Sequence, residues 1–246
     1  MTAWLPALPL PCWTPGLSRP PCVPGSWPCG GSPWLQEEGE TDRDLLVGLK
    51  APPLDAKVVE PLTGEQIAAL VATCAGKDLR ERRDEAIIRF MIETGARAGE
   101  VVALGIADVE LSTGTATVRR GKGGRGRVVP FGPQTSRALG RYLRVRRRHR
   151  LAGTPALWLG DRGKEFSYDA LHKTLGARAR AAGIVGFRPH RLRHTAAHRW
   201  LAAGGSEGGL MAVAGWTRPD MLLRCTRAQA SARAATEARA LNLGDF

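Results

Sequence analysis

The chain has 246 residues and a mass of 26.4 kDa, which is enough for one large domain or two small ones, and 43% of its residues are hydrophobic. It carries 36 basic and 23 acidic residues, a net charge of +13, and 30 of the bases are arginines. This balance favours a polyanionic partner, with nucleic acid first and an anionic membrane surface second. Apolar runs are interrupted by charge or proline before they reach 18 residues, which excludes a membrane-spanning helix.

The first part of the chain differs in composition from the rest. Residues 1–34 hold nine of the 17 prolines and a single charged side chain, Arg19, and residues 35–50 are polar and acidic. They lack the basic start and unbroken apolar stretch of a secretory signal, and their three cysteines fit neither a zinc pattern nor a paired set of disulfides. We therefore predict a disordered tail over 1–50, or a rearranged start of the reading frame, in a reducing compartment. The basic charge belongs to a folded domain over 51–246.

Regular structure is predicted from residue 63 onward. A capping box at 63–66 begins a first helix, and a second helix, 79–94, ends at Gly95. A short helix follows over about 98–104. The hydrophobic period then changes from helical spacing to two, which predicts three short antiparallel strands at 109–111, 115–119 and 127–131.

Helices occupy the remainder of the chain. They are predicted at 133–150, 168–183, 190–203, 207–214, 219–226 and from there to about residue 241. No internal repeat is visible. The predicted fold class is therefore mainly α with a small three-stranded antiparallel sheet, an α+β fold.

The first chemical cluster is the Thr-Gly-Ala-Arg-Ala-Gly-Glu turn at 94–100. It places Arg97 beside a helix N-terminus, with Glu100 three residues on to hold the guanidinium. A fixed guanidinium can clamp a phosphate through two hydrogen bonds. The plainer interpretation is a surface arginine with a structural glutamate.

The second cluster is a basic, glycine-rich turn between two predicted strands, 119–127. Glycines let the backbone come close to a phosphate backbone, and Lys122 at the tip is a flexible charge or a proton donor. A simple electrostatic contact is the alternative. The arginines expected to contact DNA are Arg119, Arg120, Arg125 and Arg127.

The third cluster, His-Arg-Leu-Arg-His, opens the helix at 190. His190 and Arg193 share a helix face, so both can reach one phosphate. His190, His194 and His198 also have the spacing of metal ligands, but the helix has no acidic partner for them. We therefore predict no metal site.

The fourth cluster is the Gly-Trp turn at 215–216, followed by a short helix that reaches Cys225. It offers an indole N–H donor and a partly buried thiol. Taken alone, Trp216 is typical of a core residue.

Together, in this order and spacing, the four clusters resemble the catalytic domain of the tyrosine recombinases, the phage-integrase family, with actinobacterial integrase-like members nearest. The resemblance covers about residues 52–243. It implies that double-stranded DNA is broken and rejoined without metal or other cofactor, in the cytoplasm and associated with the nucleoid. In such proteins a tyrosine attacks the scissile phosphate, forms a 3′-phosphotyrosyl bond and frees a 5′-hydroxyl.

The resemblance also implies roles for individual residues. Arg97 and Arg193 would hold the non-bridging phosphate oxygens as charge builds on them. Lys122 would protonate the leaving 5′-oxygen and His190 would assist proton transfer. Trp216 would donate an N–H where many members have a histidine.

The nucleophile departs from the family pattern. The tyrosine is expected nine residues after Trp216, where this chain has Cys225, and its only tyrosines, Tyr142 and Tyr168, lie upstream. Three explanations remain open at this point: a silent relative that keeps DNA affinity, a nucleophile supplied by another protomer or by a sequence difference from the functional form, or attack by the Cys225 thiolate.

A second departure concerns the N-terminal side of the clamp that family members form around DNA. Residues 1–50 have the wrong composition for that core-binding domain, so we expect either a truncated gene or a domain that binds DNA alone, weakly and with steep salt dependence.

The alternative to an impaired recombinase is a non-catalytic DNA-binding module with the same fold. A homo-oligomer on DNA is possible in either case. RNA binding is disfavoured, because only 6% of the residues are aromatic.

Overall fold

The computed structural model describes residues 59–119, 126–161, 166–227, 230–242 and 244, with only the backbone at 224 and 225. These residues belong to one unit, Ala56–Phe246. The predicted tail, 1–50, lies outside the described residues, as do its cysteines. None of the helices in the described part of the chain has the length and apolarity that a membrane crossing requires.

The described residues form nine α-helices, one 3-10 helix and three strands. The helices are α1 (Gly64–Ala72), α2 (Leu79–Thr94), α3 (Ala98–Val102), α4 (Pro133–Arg146), α5 (Tyr168–Ala181), α6 (His190–Ala202), α7 (Glu207–Ala214), α8 (Pro219–Thr226) and α9 (Ala230–Leu241), and the 3-10 helix is Ile106–Asp108. The strands are β1 (Val109–Glu110), β2 (Thr115–Val118) and β3 (Arg127–Pro130).

The strands form one antiparallel sheet in the order β1-β2-β3. Val109 pairs with Ala116, and Ala116 pairs in turn with Val129. Because side chains alternate across a sheet, Ala116, Val118 and Val129 all enter the core. The predicted α+β fold class, mainly α with a three-stranded sheet, is confirmed.

Helix α2 lies at the centre of the core, where Ile87, Ile88 and Phe90 are fully buried. Its neighbour α4 runs antiparallel to it. Glu93, near the end of α2, accepts hydrogen bonds from Gly132 N (2.6 Å) and Thr135 Oγ1 (2.5 Å) at the start of α4. A carboxylate at a helix N-terminus is stabilised by the helix dipole, so this contact fixes the pairing of the two helices.

Helix α2 also buries charged residues, which its sequence pattern did not predict. Arg83 donates to Asp84 Oδ1 (2.9–3.0 Å) and to Leu159 O (2.9 Å), and Arg178 Nε donates to Asp84 Oδ2 (2.9 Å). Burial raises the pKa of Asp84 in spite of these two arginines. The network joins α2 to α5 and to the segment that follows α4.

Helix α4 ends at Arg146, four residues earlier than predicted. The guanidinium of Arg146 is buried because the chain turns back around it, and it donates to four backbone carbonyls, of Ala152, Thr154, Ala156 and Leu157. Two tighter bonds, from the N–H groups of 148 and 149 to carbonyls three residues earlier, close the last turn. A basic run that reads as one exposed helix is thus interrupted by a structural arginine.

Arg146→Ala is expected to lower the free energy of unfolding by about 3 kcal/mol, because it leaves several carbonyls without a donor. Urea denaturation followed by circular dichroism measures this loss. The control is Arg147→Ala, which removes the adjacent, exposed arginine and should change stability by less than about 0.5 kcal/mol. Equal effects of the two substitutions would contradict the structural role of Arg146.

Candidate functional site

A cavity of about 540 Å³ opens where the end of α2, the start of α3, the start of α5 and the start of α6 meet. The three residues that line it with a predicted role at the phosphate are Arg97, His190 and Arg193, and Glu100, the predicted partner of Arg97, lines it too. Arg188 adds a further cation to the same cavity, and Tyr168 contributes a phenol. The cavity is therefore basic, and it brings together Arg97 and Arg193, which are 96 residues apart in the chain.

Arg97 is fixed by Glu100. Arg97 occupies the N-cap of α3, where its backbone N–H donates to Glu100 Oε2 (2.8 Å) and its Nη1 donates to Glu100 Oε1 (2.8 Å). The Arg97 side chain keeps 26% of its surface exposed, whereas the Glu100 side chain keeps 5%. The glutamate thus orients the guanidinium from behind and leaves its outer face toward the cavity.

Arg127 holds the other side of the same carboxylate. Its Nη1 and Nη2 donate to Glu100 Oε1 (3.0 Å) and Oε2 (2.8 Å), and its Nε donates to Val213 O (2.7 Å). Only 11% of this side chain is exposed. This inward position differs from the phosphate contact predicted for Arg127, because the first residue of β3 points toward α3 and α7.

The charge state of Glu100 follows from these contacts. Burial alone would raise its pKa, but the hydrogen bonds from Arg127 and from the Arg97 backbone, with the positive charge of Arg127, lower the pKa to about 2. Glu100 is therefore ionised at neutral pH, and it is a counter-ion of the site.

Arg193 ties two chain segments together at the back of the cavity. It is 2% exposed, and its Nη1 and Nη2 donate to Gly95 O (2.6 Å) and Ala214 O (2.8 Å). Gly95 ends α2 with a φ of 63°, a conformation that side chains disfavour, and a Cβ there would lie 3.4 Å from Ala196 Cβ. The end of α2 can therefore lie directly against α6.

Trp216 lies behind Arg193. The guanidinium carbon of Arg193 is 4.9 Å from the centroid of its ring, and the indole is 5% exposed within a small core that includes Leu222 of α8. Its Nε1 is buried and has no hydrogen-bond partner among the described residues. The preceding Gly215 has a φ of 66°, and a Cβ there would lie 3.0 Å from Arg127 Nη1.

His190 lies at the mouth of the cavity on the first turn of α6. Burial and the positive charges of His194, Arg193 and Arg97 lower its pKa, so the neutral imidazole, which can accept a proton, is favoured. The His190 and His194 rings pack edge to face, with centroids 4.9 Å apart. Within the described residues no group of histidine, cysteine or acidic side chains is arranged to hold a metal ion.

Several predicted site residues lie outside the described residues: Lys122, Arg120 and Arg125. Arg119 is described, and its Nε donates to Asp108 Oδ1 while 68% of its side chain remains exposed. Cys225 belongs to α8, which packs against α6 through Leu222, but its side chain is outside the described part of the chain.

The two tyrosines have different positions. Tyr142 is fully buried, its hydroxyl donates to Leu157 O (2.9 Å), and burial raises its pKa to about 12. Tyr168 begins α5, is 51% exposed and lines the cavity beside His172, whose ring centroid is 4.5 Å from its own. Sequence reasoning missed Tyr168 and Arg188 as cavity residues. For Arg188 the signal was present, since it comes two residues before His190.

Comparison with known proteins identifies the family of the chain. Residues 60–231 match the sequence profile described as the phage integrase family. The chain is 33% identical to tyrosine recombinase XerD of Mycobacterium leprae over 68% of this chain and 56% of the relative, and 34% identical to tyrosine recombinase XerC of Chromobacterium violaceum over 70% and 57%. It thus spans little more than half the length of these relatives.

Solved structures show the same fold. The crystal structure of XerA recombinase superposes with a TM-score of 0.66 at 24% identity, covering 82% of this chain and 70% of that one. XerH site-specific recombinase bound to its palindromic difH substrate superposes with a TM-score of 0.63 at 18% identity, covering 76% and 55%.

Glu100→Gln is expected to lower the free energy of unfolding at pH 7 by about 3 kcal/mol, because it leaves two arginines without their counter-ion. The loss should depend on pH. The pKa of Glu100 is about 2 in the folded state, against an ordinary value of 4.5. The carboxylate therefore stabilises the fold fully above about pH 5, and this contribution disappears as pH falls toward 2.

Urea denaturation across this pH range measures the difference between wild type and variant. The exposed Glu65→Gln is the control, with an expected change of less than about 0.5 kcal/mol. A wild-type advantage that stays constant from pH 7 to pH 3 would contradict the assigned ionic contacts.

Proposed function

Because the chain belongs to the phage integrase family, we propose that it binds double-stranded DNA and places a backbone phosphate in the cavity described above. The observation that carries this proposal is the convergence of Arg97, His190 and Arg193 on one cavity. The domain responsible is the one predicted over 51–246. Its place in the cell would be the cytoplasm, with the nucleoid.

Phosphate binding follows from the donors that face the cavity. Apart from the contact through Nη1, the Arg97 guanidinium has no hydrogen bond within the described residues, so its remaining N–H groups are available for phosphate oxygens. Arg188 adds positive charge at the rim. The XerH structure and a lambda integrase dimer, both solved with DNA, share this fold, which supports the same class of partner here.

The residues also suit the chemistry of strand breakage. As charge builds on the non-bridging oxygens, Arg97 and Arg193, which line the cavity, would stabilise it. Trp216 packs behind the Arg193 guanidinium, so its N–H would reach the phosphate only if the indole turned toward the cavity. The bond between phosphorus and the 5′-oxygen breaks as a nucleophile bonds to phosphorus. Lys122 would give its proton to the 5′-oxygen, while neutral His190 would accept the proton of the nucleophile.

The nucleophile limits this function. The family pattern expects the tyrosine nine residues after Trp216, where this chain has Cys225. Tyr142 is fully buried, and the exposed phenol of Tyr168 lines the cavity from the start of α5. The chain is thus a DNA-binding recombinase relative whose strand-breaking step is impaired or silent. The second candidate is a DNA-binding module without catalysis, alone or as a homo-oligomer on DNA. Cys225 at the expected position of the tyrosine also favours this second function.

Arg97→Ala is expected to weaken binding to a random-sequence duplex by about tenfold or more, since a charged hydrogen bond contributes about 1.5–3 kcal/mol. Arg193→Ala should also weaken binding, together with a loss of stability because Arg193 is buried. Fluorescence anisotropy at fixed salt measures the affinity.

The control for this experiment is Arg199→Ala, which removes an exposed arginine of α6 that does not line the cavity. Its effect should be less than about twofold. If Arg97→Ala and Arg199→Ala weaken binding equally, the cavity is not the phosphate site.

Cys225→Tyr is expected to form a covalent adduct with a nicked suicide duplex, while the wild-type chain forms none. Denaturing electrophoresis of labelled DNA measures the adduct. The matched control is Cys225→Phe, which has the ring without the hydroxyl. An adduct in the wild type would overturn the silent-relative proposal, and its loss in Cys225→Ala or in Tyr168→Phe would identify the attacking atom.

A further inference from the structure

A basic groove of about 290 Å³ lies between the N-terminal end of α2 and the C-terminal half of α4. Six residues line it: Lys77, Arg82, Arg141, Arg144, Val145 and Arg148. Five of them are cationic and none is acidic. The groove shares no lining residue with the cavity of the candidate site.

Three arginines form a row along one side of the groove. Arg141, Arg144 and Arg148 are three and four residues apart, so they lie on one face of α4 and of the turn after it. At a rise of about 1.5 Å per residue the row covers about 10 Å. Phosphates of one DNA strand advance about 3.4 Å each along the axis and also turn around it, so the row can contact about two neighbouring phosphates.

The groove is not neutralised from within. Glu85, which is 5% exposed, accepts a hydrogen bond from Arg141 Nη2 (2.7 Å) and lies 3.6 Å from Arg82 Nη1. The same carboxylate also accepts a bond from Arg89 (2.9 Å). One negative charge is thus shared among three arginines, which leaves a positive excess.

The other cations add to that excess. Lys77, Arg144 and Arg148 form no ion pair within the described part of the chain. The Nε of Arg141 is buried and has no hydrogen-bond partner there. Clustered like charges cost free energy, and an anion that enters the groove relieves that cost.

We propose that the basic groove binds the phosphate backbone of a duplex segment other than the one at the candidate site. An anionic membrane would need apolar side chains beside the cations, and the exposed large apolar residues of the described chain are not among those that line the groove. The cationic row contacts phosphates and not base edges, so this binding does not depend on the DNA sequence.

The groove lies about one helix length from the candidate site, so the two sites contact different stretches of DNA. Arg82 lies in the first turn of α2, whereas Met91 and Ala96, at the other end, line the candidate site. Helix α2 has 16 residues and is therefore about 24 Å long. DNA held in the groove thus lies away from the scissile phosphate and adds affinity to the full complex.

The test is the salt dependence of duplex binding by the full chain with Arg144→Glu and Arg148→Glu combined. Each lost phosphate contact lowers the slope of log affinity against log salt by about 0.9, so the slope should fall by about 2. The matched control combines Arg137→Glu and Arg147→Glu, which remove two exposed arginines of the same segment that do not line the groove. Its slope should fall by less than half as much.

Equal slopes for the two double variants would overturn the proposal. So would a loss of binding to anionic vesicles without any change in DNA binding. Repeating the measurement with Arg97→Ala added separates this site from the proposed function. If only Arg97→Ala weakens binding, the groove proposal fails and the candidate site stands; if only the groove variant does, the groove stands and the candidate site fails.

Discussion

The carboxylate of Glu100 is the contact on which the candidate site depends. It bonds the backbone and the guanidinium of Arg97 at the start of α3, and it receives both Nη groups of Arg127 from β3. Arg127 in turn bonds Val213 O at the end of α7, next to the turn that carries Trp216. One ionised group thus sets the relative positions of three segments. Arg193 donates hydrogen bonds to the ends of α2 and α7. The segments around the cavity are therefore held by two hydrogen-bond networks, one around Glu100 and one around Arg193.

The arginines that dominate the composition serve two physical purposes. Arg83, Arg127, Arg146 and Arg193 are largely buried, and each donates to backbone carbonyls or carboxylates. Others, such as Arg144, remain exposed and are available to a partner. The net charge of the chain therefore includes both exposed arginines, which can contact a partner, and buried arginines, which stabilise the fold. The exposed arginines, together with the arginines that line the cavity, give the chain its affinity for polyanions.

Local signals in the sequence predicted most of the fold. The capping box at Thr63 and the glycine that ends α2 fixed helix bounds that the structure reproduces, and the change of period to two located all three strands. The end of α4 was predicted too late, because the carbonyls that surround Arg146 come from a segment that folds back from later in the chain. The buried pair Arg83 and Asp84 escaped prediction for a similar reason, as charged residues read as exposed until their partners are known.

The candidate site was predictable where one motif supplied both partners, as with Arg97 and Glu100. It was not predictable where the partner is distant. Arg127 could not be separated from the arginines of its hairpin, since the register of β3 decides which one points inward, and Tyr168 reaches the cavity only because α5 begins beside α6. The register of the strands and the packing of distant helices thus decide the positions of Arg127 and Tyr168, which the sequence pattern does not predict.

A crystal structure of the chain bound to a DNA duplex tests phosphate binding in the cavity most directly. A backbone phosphate is expected there, with its oxygens within hydrogen-bonding distance of the Arg97 guanidinium and Glu100 still holding that guanidinium from behind. A duplex bound at another surface, with the cavity free of phosphate, would contradict this expectation.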